Sequence, residues 1–301
     1  MKIKKIYVNE ILQFLGDKVF QVYGSIDGVY IDNLAEVERV NETTLDWIKP
    51  SKPNKQEIAE NSKARVLLVD SSVLPIEGKT LIAVKNPKVA LAEVGNHFFV
   101  EKVAPGIHPT AIIHPDAKIG SHCHIGPYSV IGRAVIGDNC IIDGNVTVYD
   151  DVVMGHDCVI KAGAVLGGAG FGYERDADGN KFRFPQIGQL IIGDYVEIGA
   201  NTCVDRGALA DTVIGDFTKI NNLCHIAHNN KVGKNVTITG CVNVSGSNVI
   251  EDDVWIAPNA SIKGWVHIGE GAVVGMSAVV VKDIPAHEIW VGNPAHKMEK
   301  K

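Results

Sequence analysis

The sequence predicts a mainly β protein: a left-handed parallel β-helix of hexapeptide repeats, with a small N-terminal α/β domain before it and a short C-terminal tail after it. Three observations carry this reading. From Ile214 to Val280 every sixth residue is Ile or Val, twelve in succession. Four places after these residues the chain is small at Thr218, Cys224, Val236, Ala260, Ala272 and Ala278. Residues 1 to 104 show no such pattern.

With Ile plus Val at about one residue in four, twelve consecutive hits would arise by chance less than roughly once in ten million. A period of six is neither helical nor that of a simple strand. It suits a coil in which each hexad supplies one short strand and one corner, three hexads closing a triangle of about 18 residues. The reference aliphatic and the small residue point inward. Gly215, Gly233, Gly269 and Gly275 follow the reference position, where the corner is expected to need residues tolerant of unusual φ. Coils stack at about 4.8 Å, so residues 18 apart are expected to be vertical neighbours.

Taken in order, residues 1–104 form the α/β domain. Val66–Val69 and Leu81–Val84 read as buried strands, and Lys88 to Phe99 as a helix after an Asn86-Pro87 stop. The β-helix is expected over 105–285. Its first references are Ile107, Ile113, Ile119, Ile125 and Ile131; after one skipped residue come Ile136, Ile142, Val148, Met154, Ile160 and Leu166. Residues 167–190 leave the pattern, and Asp178-Gly179 between Tyr173 and Phe182 predicts a hairpin. Their glycines lack the strand–turn–helix of a dinucleotide site, and Lys181 and Ile187 fall where a calcium loop needs Gly and Glu. Hexads return at Ile192, Ile198 and Val204, and a two-residue deletion within DRGALADT is expected before Ile214. Residues 286–301 are the tail.

Composition excludes several classes. A formal net charge of −6 gives no basic footprint for nucleic acid. No apolar run approaches the roughly 20 residues of a membrane span, and the N-terminus lacks a signal-peptide profile, so a cytoplasmic protein without a transmembrane segment is expected. Cys123, Cys140, Cys158 and Cys224 occupy small inward positions, which favours core packing over bridges or zinc.

His228 lies two residues after Ile226 and is expected at an outer corner, beside Asn229. Eighteen residues on stands Gly246, and eighteen beyond that Gly264. A bare backbone stacked over an imidazole leaves room for substrate and offers an N–H to an oxyanion. The bland alternative is a solvated surface histidine, and for His225 that flanking role is the expectation. His122 and His124 both point outward from Cys123, and a metal site there is not expected.

At these residues the chain resembles the hexapeptide-repeat acyltransferases, most closely the UDP-3-O-acylglucosamine N-acyltransferases of lipid A biosynthesis. The resemblance is carried by IHPTAIIHPDAKIG, by GFGY and FPQIGQLIIGDYVEIGANTCVDRGALADTVIG, and by NLCHIAHNN through VSGS. It implies a homotrimer with sites in clefts between prisms, His228 as general base, Gly246 as oxyanion donor, and no metal or permanently bound cofactor. It also implies a nucleotide-binding N-terminal domain, with Trp47 and Asn86 (in VKNP) as substrate-binding candidates beside Asn229, Phe171 and Tyr173.

Departures from the family pattern bear on the acyl donor. Trp265 stands where a second active-site histidine aligns, and Ser277 and Val279 stand where methionines bound a long acyl chain. Beside Trp47 the expected Asn-Pro reads Lys49-Pro50-Ser51. The carrier-protein-binding helical extension is absent from a chain that stops at Lys301, while GMSAVVVKDIPAHEIWVGNPA resembles the coenzyme A-dependent sugar acetyltransferases. These features make Gly264, Trp265, Ser277 and Lys282 the donor-binding candidates. The expected function is N-acylation of a UDP- or dTDP-linked amino sugar for lipopolysaccharide or surface polysaccharide, with a short acyl-CoA such as acetyl-CoA as donor. The alternative is the lipid A reaction with 3-hydroxyacyl carrier protein. A trimeric zinc carbonic anhydrase is disfavoured by the H-x-x-H spacing, and a passive scaffold is the remaining alternative.

Overall fold

The computed structural model describes residues 5–298, and the chain divides into two compact units, Met1–Lys102 and Val103–Lys301. The first unit holds a four-stranded mixed sheet in the order Val19–Tyr23, Thr80–Val84, Val66–Val69, Leu45–Trp47. Val66–Val69 is parallel to both its neighbours and every residue in it is buried, which explains its unbroken apolar run.

Among the described residues three α-helices accompany this sheet. In Val8–Leu15 the residues Val8, Ile11 and Leu15 share a buried stripe. Lys55–Asn61 is the second. The third runs Pro87–Phe98, with Asn86 as its N-cap accepting from the Val89 N–H at 3.3 Å. Pro87 thus begins the helix instead of stopping the chain before it, because a first-turn residue needs no N–H.

Among the described residues the second unit is a three-faced solenoid whose faces contain 11, 9 and 8 strands, parallel throughout except for the last strand of the first face and most of them two residues long. All twelve reference residues from Ile214 to Val280 are buried. Each contributes about 1.5–3 kcal/mol through burial of its side chain. Registers such as His225↔Asn243 and Ile226↔Val244 confirm the 18-residue stacking in this stretch. Cys123, Cys140, Cys158 and Cys224 are buried, and Cys140 Sγ lies 3.2 Å from the Gly155 carbonyl oxygen.

Three expectations need correction. The glycines after the reference positions do not have positive φ; the left-handed residues lie two further on and include Asn229, Asn235, Ser247 and Trp265. The glycines serve close approach between coils instead, since a Cβ at Gly215 would lie 2.5 Å from the Gly233 backbone. Second, DRGALADT contains an insertion and not a deletion. Val204 and Ile214 lie on consecutive faces of the triangle, one hexad step apart, so four extra residues separate them. Vertical neighbours across it are accordingly 22 apart, as in Cys203↔His225.

Third, the solenoid does not end at residue 285. Trp290 is buried in its core with Ile284, and Ile289–Val291 pairs in parallel with Val273–Val274. His296–Lys297 then folds back antiparallel on that strand. Much of the stretch expected as a tail is therefore a final coil and its cap. The expected hairpin is present: Tyr173–Arg175 pairs antiparallel with Lys181–Arg183.

Candidate active site

The corner after Ile226 sets out Ala227, His228, Asn229 and Asn230. Ile226 and Asn230 are buried, while His228 faces outward. Asn229 has φ +62°, a left-handed conformation that asparagine tolerates better than most residues. This bend turns the Asn229 side chain back on the histidine, and His228 Nδ1 lies 2.9 Å from Asn229 Oδ1.

The orientation of that amide is fixed from behind. Asn229 Oδ1 also accepts from the Ala208 N–H at 2.9 Å, and its Nδ2 faces the Ala210 carbonyl at 3.4 Å. An oxygen so engaged can only accept, so the Nδ1 of His228 carries the proton. Nε2 makes no hydrogen bond among the described residues. The orienting partner is thus an amide held by the DRGALADT insertion. Neither neighbouring carboxylate does this: Asp205 binds His225, and Asp211 accepts from the Gln189 N–H.

Gly246 stands directly over the ring. A Cβ there would lie 2.8 Å from Cε1, 3.0 Å from Nε2 and 3.2 Å from Nδ1 of His228, so any side chain at this position would displace the ring. The Gly246 N–H donates to no group among the described residues. Gly264 follows above it, where a Cβ would lie 2.9 Å from the Gly246 carbonyl oxygen.

The 167–190 insertion folds over the same histidine. A Cβ at Gly170 would meet His228 Cβ at 2.8 Å, so the loop backbone packs against the side chain. Arg206 ties this insertion to the solenoid. Its Nε donates to the Gly188 carbonyl at 2.7 Å and its Nη2 to Asp151 Oδ2 at 3.1 Å. The result is a cleft of about 650 Å³, walled by Phe171, Tyr173, Phe184, Leu209 and Trp265 around His228. Phe171 and Tyr173 meet edge-to-face at 5.0 Å. One buried polar atom here lacks a partner, Gln186 Oε1.

The structure therefore gathers His228, Asn229, Phe171, Tyr173 and Trp265 at one cleft, with Gly246 stacked on the imidazole. It does not bring the other donor candidates there: Lys282 Nζ lies 5.0 Å from the Trp290 ring centroid, and Ser277 is an exposed corner residue at φ +55°. In the first unit, Trp47 lines a cavity of about 360 Å³ with Asp46, Asn54 and Asn61, which Asn86 does not share. Asn86 is engaged as a helix cap.

His225 is not the plain surface residue expected. It is partly buried, its Nε2 lies 3.0 Å from Asp205 Oδ2, and that hydrogen bond raises its pKa. Gln186, Ala208 and Leu209 had no signal in the hexad pattern, because all three lie on insertions. Among the described residues no group of three or more His, Cys, Asp and Glu could hold a metal, and no helix is long and apolar enough to cross a membrane.

In chemical terms the cleft joins an imidazole whose Nε2 has no partner among the described residues, an unengaged backbone N–H against the same ring, and aromatic walls. This arrangement can take a proton from a nucleophile and receive negative charge on an adjacent oxygen.

Known proteins with related sequences and structures bear on what passes through this cleft. The bacterial transferase hexapeptide (six repeats) family matches residues 105–133, 133–168 and 249–282. A UDP-3-O-acylglucosamine N-acyltransferase of Coxiella burnetii (strain Dugway 5J108-111) is 33% identical over 280 residues, covering 86% of this chain and 81% of its own. One of that name from Caulobacter sp. (strain K31) is 43% identical over 148 residues, 49% of this chain and 43% of the relative. The chain thus spans less than half the length of the Caulobacter relative. Among solved structures, UDP-N-acetylglucosamine O-acyltransferase from Moraxella catarrhalis RH4 is similar at TM-score 0.58 and 27% identity, covering 64% of this chain and 73% of that one. The left-handed β-helix is the architecture this chain shares with it.

Proposed function

This chain belongs to the UDP-3-O-acylglucosamine N-acyltransferase family, and on that premise we propose that it moves an acyl group from a thioester to the amino group of a UDP-linked 3-O-acylglucosamine, a step of lipid A biosynthesis. The observation that carries the reading is the imidazole of His228, protonated at Nδ1 by its bond to Asn229 and pressed against Gly246 in an aromatic-walled cleft. Nε2 removes a proton as the sugar amine attacks the thioester carbonyl carbon. The C=O π pair moves onto oxygen, which the Gly246 N–H receives. Collapse reforms the carbonyl and breaks the C–S bond, and the departing sulfur takes the proton held at Nε2. Base catalysis of this kind supplies about 10²–10⁴-fold.

Of the two expected acceptors and donors, the lipid A pair has the stronger support. Both N-acyltransferase relatives described above bear the 3-O-acylglucosamine name. The acetyl-CoA expectation leaned on Ser277 and Lys282, which lie outside the cleft. The donor we propose is accordingly an acyl carrier protein thioester, with the aromatic walls receiving sugar and acyl chain. We also propose a homotrimer, a cytoplasmic setting, and a nucleotide-binding role for the first unit around Trp47.

Donor competition tests the reading. Purified protein with UDP-3-O-acylglucosamine should turn over 3-hydroxyacyl carrier protein and leave acetyl-CoA untouched. Acetyl-CoA as the better donor would return the short-chain reading, and wild-type turnover by His228→Ala would remove the enzyme assignment.

A further inference from the structure

Directly behind the candidate catalytic corner lie two asparagines with no exposed surface, Asn230 and Asn248. They occupy one vertical column with Thr212 below and Val266 above. A buried carboxamide is tolerable only when its polar atoms find partners, and here each nitrogen and each oxygen has at least one. Asn230 Nδ2 donates to the Ala227 carbonyl at 2.6 Å and the Ser245 carbonyl at 3.0 Å, and its Oδ1 accepts from the Asn248 N–H at 3.0 Å. Asn248 Nδ2 donates to the Ser245 carbonyl at 2.6 Å, and its Oδ1 accepts from the Val266 N–H at 2.7 Å.

Lacing one coil to the next does not require asparagine. Elsewhere a threonine does it with one hydroxyl: Thr218 Oγ1 donates to the Gly233 carbonyl and accepts from the Val236 N–H, and Thr202 Oγ1 does the same between the Asn221 carbonyl and the Cys224 N–H. What the carboxamides add is further donors, and their destination is specific. Both asparagines donate to the Ser245 carbonyl oxygen.

That oxygen and the Gly246 N–H are opposite ends of one planar trans peptide. Two buried amides holding the oxygen toward the prism interior turn the N–H outward, to the surface where the His228 ring lies against Gly246. Hydrogen bonds to a carbonyl also polarise the peptide unit and strengthen its N–H as a donor. We infer that Asn230 and Asn248 are positioning residues that aim and polarise the Gly246 N–H for the oxyanion of the tetrahedral intermediate. This rests on the reading of the cleft given under Proposed function.

The test uses the full chain with UDP-3-O-acylglucosamine and 3-hydroxyacyl carrier protein. In Asn248→Thr a hydroxyl can still accept from Val266, as Thr218 accepts from the Val236 N–H, but the donor to Ser245 is lost. In Asn230→Thr the hydroxyl can still reach Ser245, as Thr218 reaches Gly233, so it is the conservative control. Asn230→Val/Asn248→Thr removes both donors. Loss of one full oxyanion donor costs about 10²–10³-fold in kcat. Weakening it should cost about 10-fold in Asn248→Thr and about 100-fold in the double variant, with KM for the sugar nucleotide and the pH profile unmoved, and little change in Asn230→Thr. A merely structural role would instead lower Tm and leave kcat per folded molecule unchanged, which overturns the inference; Asn248→Thr alone decides if the double variant does not fold. His228→Ala is assayed alongside. If it is inactive while Asn248→Thr is wild type, only this inference falls; if it is active, both do.

Discussion

Gly246→Ala is the sharpest perturbation of the cleft. The added methyl would lie 2.8 Å from His228 Cε1 and 3.0 Å from Nε2. Carbon contacts settle near 3.5 Å or beyond, so the ring must move by about 0.7 Å. Such a movement stretches the 2.9 Å contact to Asn229 toward 3.6 Å, past the range of a useful hydrogen bond. The imidazole then loses both its place and its tautomeric anchor. A misplacement near 1 Å costs about 10²-fold, and the oxyanion donor is disturbed as well, so kcat should fall by about 10²–10³-fold. The fold should suffer little, because the displaced group is an outward side chain with cleft space to enter. A thiol-release assay gives kcat and KM, and thermal unfolding gives Tm. The cycle with His228→Ala sharpens the result: the double variant should lose less than the product of the two single losses, because both changes disable the same base. Near-normal kcat in Gly246→Ala, or full additivity in the cycle, would refute the stacked imidazole–glycine account.

Three other outcomes follow from the geometry. Arg206→Ala removes charged hydrogen bonds to the Gly188 carbonyl and Asp151; it should cost about 1.5–3 kcal/mol, raise KM, and expose 171–185 to limited proteolysis, whereas an unchanged cleavage pattern would mean that the loop is held elsewhere. Asp205 raises the pKa of His225 above its unfolded value. The stability this contributes is fully present below about pH 6.5 and is lost as pH rises through the higher folded value. Asp205→Asn should therefore flatten the decline of Tm above that pH, and parallel Tm–pH curves for the two proteins would count against the pairing. Ile238→Ala, at a fully buried reference position, should cost about 2–5 kcal/mol in denaturant unfolding, while a loss below 1 would show that the column collapses around the gap.

The solenoid was legible because its interior is thin: each coil offers one slot for Ile or Val and one for something smaller, and the chain repeats that demand every six residues. The stack of His228 under Gly246 followed from counting alone. What counting could not decide was the sign of an irregularity. The ten-residue step from Val204 to Ile214 fits two hexads less two or one hexad plus four, and only the face each strand joins separates these. The glycines after the reference residues were assigned to backbone conformation when the crowding of adjacent coils explains them. Asn229 is not marked as the orienting group by the hexad pattern, because its support from Ala208 depends on a loop with no periodicity. In the first unit, the stripe of Val8, Ile11 and Leu15 was readable but too short to stand out without its packing partners.

The turned-back strand His296–Lys297 has a bearing beyond the cleft. A stack of parallel rungs leaves unpaired amides and carbonyls along its last edge, an invitation for a second column to add end to end. Here the chain doubles over its own final rung on one face, pairing Trp290 with Lys297 and Val291 with His296, so that stretch of edge is covered by the molecule itself. A chain cut back before Ile289 would trade a closed terminus for a templating one, and filament formation, scaling with concentration, is how that trade would become visible.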